Sequence, residues 1–455
     1  MKKHLCILLS CILIVSGITS GVSIKSSAQS SGKSGDLSWN VTEGILKISG
    51  NGKMTDGDAP WGNSIIEVII EEGVESIGEK AFLNCTALKN ASIAGSVKSI
   101  GSEAFFGCSK LSEIKIPDSV TYIGSEAFSD CTNLCSLEFS SGLEQIEGFA
   151  FYECQSLKSL KLPSSLKSIG ENAFSMCSEL EEIEMETGCE NYYSIDNCLI
   201  SYDNKTLILG CKNSVIPSDG SVTQIGNSAF YGAEELKSIT IPESIKKIGD
   251  EAFCWNFGLE SITFSGNVES IGIQAFLSCT SLKSIKLPSS LNYLGKEAFS
   301  NCTSLTDAEI NGKITVLPEN LFFGCKSLKN IYINKYITEI YSGAFLNCES
   351  LENIYYEGNS DDWKNIGIGT KNDRIYDAAL TLNSKGLPLP FTVGDVNGDG
   401  KINSLDGLLL LRYLNGWNVI IANPDAMDVN GDKKVNSLDG LLLLRYLNGW
   451  DIKLG

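Results

Sequence analysis

Apolar residues recur along this chain with a fixed long period. The unit is seen in Leu111-Ser-Glu-Ile114-Lys-Ile116-Pro117-Asp-Ser-Val120-Thr-Tyr-Ile123-Gly124-Ser-Glu-Ala127-Phe128-Ser-Asp-Cys131. Its marker phenylalanines are Phe82, Phe105, Phe128, Phe151, Phe174, Phe230, Phe253, Phe276, Phe299, Phe322 and Phe345. Each step is 23 residues except Phe174 to Phe230, which is 56 and implies one enlarged repeat with a ten-residue insertion. Leu111, Ile114 and Ile116 have the L-x-x-L-x-L spacing of a leucine-rich repeat. Ile114 and Ile116 share one face of a short strand that Pro117 ends. Val120 and Ile123 turn inward on the return path, Gly124 permits a tight bend, and Ala127-Phe128 fill the centre. One such unit cannot bury its own apolar face, whereas stacked units can. The pattern predicts an α/β-type repeat solenoid of short parallel strands.

The outward positions of those strands are Ser92, Lys115, Glu138, Lys161, Glu184, Thr240, Thr263, Lys286, Glu309, Tyr332 and Tyr355. Neighbouring Lys and Glu would pair with each other, a structural ladder. Tyr332 and Tyr355 fall in register and are a possible ligand face for sugar rings or a protein loop. Trp255 is a second candidate, because equivalent positions are mostly small or polar, such as Asn84, Asp130 and Ser278. Tyr192 and Tyr193, in the enlarged repeat, are a third.

Nine cysteines sit three residues after a marker phenylalanine, among them Cys108, Cys131 and Cys302, while Ala233 and Asn256 take that slot in two other repeats. Such a slot reads as a small buried ladder and not as a disulfide framework. Cys189, Cys198 and Cys211 lie in the enlarged repeat, and two of them could pair. The chain holds one histidine, His4. That excludes Ser-His-Asp and Cys-His catalysis and His-ligated zinc from the rest of the sequence. A formal net charge of −19 argues against a nucleic-acid partner. Residues 1–28 read as a secretory signal: Lys2-Lys3-His4, an apolar stretch from Leu5 to Val15, then small residues. The expected mature protein is secreted, with no membrane span.

Beyond Leu382 the pattern changes. Residues 383–392 read as a linker, and then DVNGDGKINSLDGLLLLRYLNGW at 395–417 returns as DVNGDKKVNSLDGLLLLRYLNGW at 428–450. The first half of each copy has the spacing of a calcium loop, which offers a hard cation alternate oxygen ligands. The predicted ligands are Asp395, Asn397, Asp399, the Lys401 carbonyl, Asn403 and Asp406, then Asp428, Asn430, Asp432, the Lys434 carbonyl, Asn436 and Asp439. Two Ca2+ ions are expected. Lys433 replaces Gly400 at the sharp turn, which predicts a weaker second site. Leu408 to Leu411 sweep too wide an arc for all to face the core of so small a domain, so some apolar surface is left for a partner. Two of the three arginines, Arg412 and Arg445, stand at equivalent positions here.

The phrase I-x-I-P-x-S-V-x-x-I-G-x-x-A-F-x-x-C resembles BspA-like leucine-rich-repeat proteins, which are bacterial surface and secreted proteins. The resemblance implies a binding or adhesion scaffold over 65–382. It also implies an N-terminal cap over 36–64, from Leu37-Ser-Trp39 to Pro60-Trp61, and a C-terminal cap with Tyr355, Tyr356 and Trp363. The duplicated loop and helix with Asp closing each loop resembles a type I dockerin, a small all-α calcium-binding domain, over 393–455. Dockerins bind cohesin modules on the scaffold proteins of cellulosome-type, polysaccharide-degrading complexes. The family's contact positions fall on Ser404, Leu405, Leu411 and Arg412, and on Ser437, Leu438, Leu444 and Arg445. Leu411 and Leu444 depart from the basic residue common there. The expectation is a non-catalytic component anchored by a cohesin, with a structural spacer or a glycan-active enzyme as alternatives.

Overall fold

The structure is a computed structural model that describes residues 30–57, 60–387, 393–397, 401–417, 419, 421, 424–432, 434–450, 452 and 454. The expected signal sequence, Asp399, Gly400, Lys433 and part of the expected linker lie outside the described residues. The repeats form a solenoid of stacked coils. Three antiparallel or edge-forming strands begin it: β1 (Ser31–Ser34), β2 (Leu37–Thr42) and β3 (Ile45–Ser49). Strand β3 then pairs in parallel with β4 (Glu67–Ile70), the first repeat strand. There follow β5 (Asn90–Ile93), β6 (Glu113–Lys115), β7 (Ser136–Glu138), β8 (Ser159–Leu162) and β9 (Glu182–Met185). Beyond the enlarged repeat come β13 (Ser238–Ile241), β14 (Ser261–Phe264), β15 (Ser284–Lys286), β16 (Asp307–Ile310), β17 (Asn330–Ile333), β18 (Asn353–Tyr356) and β19 (Ala379–Thr381). Register advances by one repeat per strand: Ile114 faces Leu137 and Ile331 faces Ile354. A second parallel ladder of two-residue strands runs on the return path, with Ile123 between Ile100 and Ile146.

Burial follows the predicted pattern. Ile114, Ile116, Val120, Ile123, Ala127 and Phe128 are all buried. The phenylalanines stack as a continuous column. Trp61 lies on Phe82 at 5.5 Å between centroids, and Phe105–Phe128, Phe128–Phe151 and Phe151–Phe174 follow at 5.0, 5.1 and 5.2 Å. A second column runs from Phe230 to Phe345. Trp61 also donates its indole N–H to the Ala81 carbonyl at 3.1 Å, tying the N-terminal region to the first coil.

Two expectations about the coil need correction. Gly124 does not make the bend through a left-handed backbone. A β-carbon there would lie 2.6 Å from the Ser102 nitrogen, so glycine is required by the close approach of the preceding coil. The bends instead use non-glycine residues at positive φ, such as Glu126 (56°), Asp130 (59°) and Trp255 (59°), held there by hydrogen bonds between coils. The cysteine slot is also more than small. Cys131 donates its S–H to the Phe105 carbonyl at 3.3 Å, and Cys108, Cys154, Cys279 and Cys325 repeat the contact. Asn256 fills the same slot and donates its amide to the Phe230 carbonyl at 2.6 Å. Most coils thus place a short donor in the slot, while Ala233 fills it in another with no donor.

The enlarged repeat is an antiparallel meander: β10 (Tyr192–Ile195), β11 (Cys198–Ser201) and β12 (Thr206–Leu209). It divides the core. Cys198, Ile200 and Leu207 belong to the C-terminal half, while Cys189, Leu199, Leu209 and Cys211 belong to the N-terminal half. No two of Cys189, Cys198 and Cys211 are paired; all three are buried free thiols. Among the described residues no ring contact joins Phe174 to Phe230.

The C-terminal coil is closed by α1 (Ser360–Lys364), whose N-cap Asn359 forms a capping box with Asp362. Trp363 packs edge-on against Tyr356 at 5.2 Å. A further short helix, α2 (Arg374–Asp377), leads into β19, which pairs with β18.

Candidate functional site

The duplicated tail forms two helices, α3 (Ser404–Leu414) and α4 (Ser437–Leu447). Each begins at an asparagine N-cap: Asn403 accepts from the Leu405 N–H at 2.9 Å, and Asn436 from Leu438 at 2.8 Å. The third helical residue completes a capping box. Asp406 accepts from the Asn403 N–H at 2.8 Å and Asp439 from the Asn436 N–H at 2.8 Å. Their second oxygens reach back to the loop start, accepting from the Asn397 N–H at 2.9 Å and from the Val429 N–H at 2.8 Å. One carboxylate therefore both starts the helix and closes the loop.

In the second copy the Asp432 N–H donates to Asp428 at 3.1 Å and to the Asn430 side-chain oxygen at 2.9 Å. The Lys434 N–H donates to Asp432 at 2.9 Å. These bonds gather Asp428, Asn430, Asp432, Lys434, Asn436 and Asp439 around one turn. In the first copy Asp395, Asn397, Lys401, Asn403 and Asp406 occupy the equivalent positions.

The fit to a cation rests on Asp406 and Asp439. Both are 0% exposed, and among the described residues neither has a lysine or arginine ion pair. A buried carboxylate without a counter-charge is costly, and a bound cation supplies that charge. All the donors are hard oxygens, the set calcium takes.

The helices pack with glycine facing leucine. A β-carbon on Gly407 would lie 3.0 Å from Leu447, and one on Gly440 would lie 3.1 Å from Leu414. Leu411 packs over Gly440 and Leu444 over Gly407, so both are half-buried between the helices. The outward apolar stripe is instead Leu405 and Leu408, 48% and 42% exposed, with Leu438 and Leu441 as its copy. Ser404, Arg412, Ser437 and Arg445 are exposed beside it. Each arginine lies over a tryptophan: Arg412 is 5.7 Å from the Trp417 ring centroid and Arg445 is 5.2 Å from Trp450. Leu408, Leu441, Trp417 and Trp450 were not among the residues expected from sequence. The signal was present in the i, i+3, i+7 spacing of Leu405, Leu408 and Arg412.

On the solenoid the predicted ion-pair ladder forms in part. Lys115 meets Glu138 at 3.2 Å and Lys286 meets Glu309 at 2.7 Å. Lys161 and Glu184 face each other in register without an ion pair. Tyr332 was expected on an open face and is not: it is 5% exposed. It stands between Glu309 and Tyr355, which cover it, and its hydroxyl is pushed up first by burial and then by Glu357 and Glu309. Tyr355 is half-buried. Trp255 is half-buried too, its ring 5.5 Å from Tyr231 at 42°.

Burial and then the neighbouring Asp130 push Glu153 up to about 7. Tyr193 lies against Tyr202 at 4.6 Å.

Parallel strands stacked one coil per repeat define a leucine-rich-repeat solenoid, and the tail forms a small module of two loop-helix units. Compared with protein families, residues 61–181, 98–204, 208–265 and 246–367 match the BspA type leucine rich repeat region, and residues 393–448 match the dockerin type I domain. The chain belongs to the BspA-type leucine-rich-repeat family and carries a C-terminal type I dockerin domain. Among solved structures it is similar to a leucine-rich cell surface protein from Faecalibacterium prausnitzii, with 28% identity, TM-score 0.52, and coverage of 74% of this chain and 97% of that one. It is also similar to a leucine-rich repeat protein from Eubacterium ventriosum, with 21% identity, TM-score 0.54, and coverage of 80% and 97%. The pneumococcal vaccine antigen PcpA shares the fold at 21% identity and TM-score 0.57, over 78% of this chain and 99% of that one. No curated protein matches the chain.

Proposed function

We propose that this protein is a secreted, non-catalytic component of a cellulosome-like polysaccharide-degrading complex. Its dockerin takes a cohesin module of a scaffold protein in a calcium-dependent way, and its solenoid serves as a binding or adhesion arm. The observation that carries the docking role is the repetition of one exposed face on two helices, each seated on a buried aspartate that closes the preceding loop. Calcium, when bound, would place a positive charge beside the buried Asp406 and Asp439. The protein's own part is to fix each helix start and so aim Leu405, Leu408 and Arg412, or their copies, outward.

Support for a non-catalytic solenoid comes from the coils: their buried side chains are explained by packing, and the chain's one histidine lies in the expected signal. The fold likeness to a cell surface protein supports an extracellular setting. Among the described residues no helix is long and apolar enough to cross a membrane.

The two faces predict docking in either orientation. In pull-downs on immobilised cohesin, Leu405→Ala with Arg412→Ala should leave capture nearly intact. Adding Leu438→Ala and Arg445→Ala should abolish it. Loss of capture on changing one face alone would refute the two-orientation reading.

A further inference from the structure

At the enlarged repeat the main-face strands β9 and β13 are not neighbours, and the gap between them is asymmetric. Residues 211–217 read Cys-Lys-Asn-Ser-Val-Ile-Pro, the spacing of Leu236-Lys-Ser-Ile-Thr-Ile-Pro242 in the next coil. They should therefore form the strand beside β13. They do not: no backbone hydrogen bond joins 211–217 to β13. The segment is drawn to the meander, where the Val215 N–H donates to the Asp196 carbonyl at 3.0 Å and the Ser214 hydroxyl to the Asn197 carbonyl at 2.6 Å.

On the other side of the interruption, β9 is sealed by side chains. The Met185 N–H donates to the Ser194 hydroxyl at 2.8 Å, and the Ile183 N–H to the Asn197 side-chain oxygen at 3.4 Å.

Strand β13 has no such seal. The Glu260 N–H donates to the Lys237 carbonyl and the Ser265 N–H to the Ile241 carbonyl, both at 2.9 Å. The odd-numbered residues thus spend their bonds on β14, and the backbone groups of Ser238 and Thr240 point the opposite way. Along that edge lies a cavity of about 600 Å³, between Ser214, Val215 and Ile216 on one wall and Ser238 and Thr240 on the other. Val215 is 65% exposed. Glu243 is the charged residue of the lining, just past the end of β13.

An open strand edge presents paired N–H and C=O groups that only another backbone can match in full. We propose that the β13 edge is a binding slot for an extended segment of another protein, which adds as a strand parallel to β13. Parallel addition follows the orientation of the other repeat strands on this sheet. It sets the incoming C-terminal end beside Glu243, so the segment is uncharged along the slot and basic at that end.

The test uses the calcium-loaded full chain and a fluorescent peptide, acetyl-Ser-Ile-Thr-Ile-Lys-Lys-amide, followed by anisotropy. Saturable binding is expected. Methylating alternate backbone nitrogens of the peptide should weaken it roughly tenfold or more, because it removes the donors to β13. Thr240→Pro should do the same from the protein side, while Thr240→Ala, which keeps the N–H, should bind like the native chain. EDTA should leave binding unchanged, which separates this slot from the dockerin. No saturable binding up to about 1 mM would overturn the proposal, as would equal binding of the methylated peptide. A chain that instead dimerises in sedimentation, with Thr240→Pro abolishing the dimer, would overturn it in favour of self-pairing.

Discussion

The phenylalanine column offers a quantitative test of how the solenoid holds together. Phe128 is fully buried and stacked on both sides, against Phe105 at 5.0 Å and Phe151 at 5.1 Å, with interplanar angles of 5° and 4°. Replacing it with alanine removes the ring and leaves a cavity that the flanking coils cannot close, because their backbones are bonded coil to coil. Such a change costs about 3–5 kcal/mol. Phe174 provides an internal control. It is buried too but stacks only on Phe151, since the meander interrupts the column. Aromatic pairs add about 0.5–1.5 kcal/mol beyond burial, so Phe174→Ala should cost less than Phe128→Ala by roughly that amount. Urea unfolding of the full chain, followed by circular dichroism, gives both values. Equal losses for the two variants, or a loss under about 1 kcal/mol for Phe128→Ala, would refute the column as a principal source of stability.

Other expectations follow from the thiols, Glu153 and the loops. Cys135 is the exposed cysteine among the described residues, while burial pushes Cys85, Cys177 and Cys348 up to about 12. Iodoacetamide on folded protein produced from residue 29 onward should therefore label Cys135 alone, as peptide mapping would show; rapid labelling of Cys177 would contradict the buried ladder. Burial and Asp130 raise Glu153 from 4.5 to about 7, so folding takes up a proton there. That contribution is full below about pH 4.5 and is lost as pH rises through about 7, so Glu153→Gln should flatten the fall in melting temperature across that window. An unchanged slope in the variant would show that Glu153 does not carry the effect. In the tail, Asp439→Ala should remove both a loop closure and a helix cap, lowering the calcium affinity of the second loop at least tenfold by calorimetry. Native affinity in that variant would exclude Asp439 as the closing ligand.

Much of this architecture was legible in the sequence because it is periodic. A 23-residue step fixes which residues face inward, and Ile114, Ile116, Val120 and Phe128 are buried as that step requires. The duplicated tail was legible for the same reason: two near-identical copies reveal which positions serve the loop. What escaped was aperiodic or depended on neighbours. The meander over 192–209 has short strands and Asp-Asn turns, but no period long enough to announce three antiparallel strands. Tyr332 reads as outward by alternation, yet the residues flanking it in register cover it. Leu411 and Leu408 are indistinguishable in a run of leucines; only the glycine on the opposite helix decides which faces inward. Glycine at 124 signalled a bend, while the chain uses it for a close approach and places glutamate, aspartate and tryptophan in left-handed turns. Asn256 in the cysteine slot was the available clue that the position can use a donor.

The central claim is that the tail docks this protein through calcium-shaped helices. Calorimetric titration of the full chain with cohesin modules, first in calcium and then in EDTA, tests it most directly. Tight binding that EDTA abolishes is the predicted result. Failure to bind any cohesin while the dockerin folds with calcium would contradict the account.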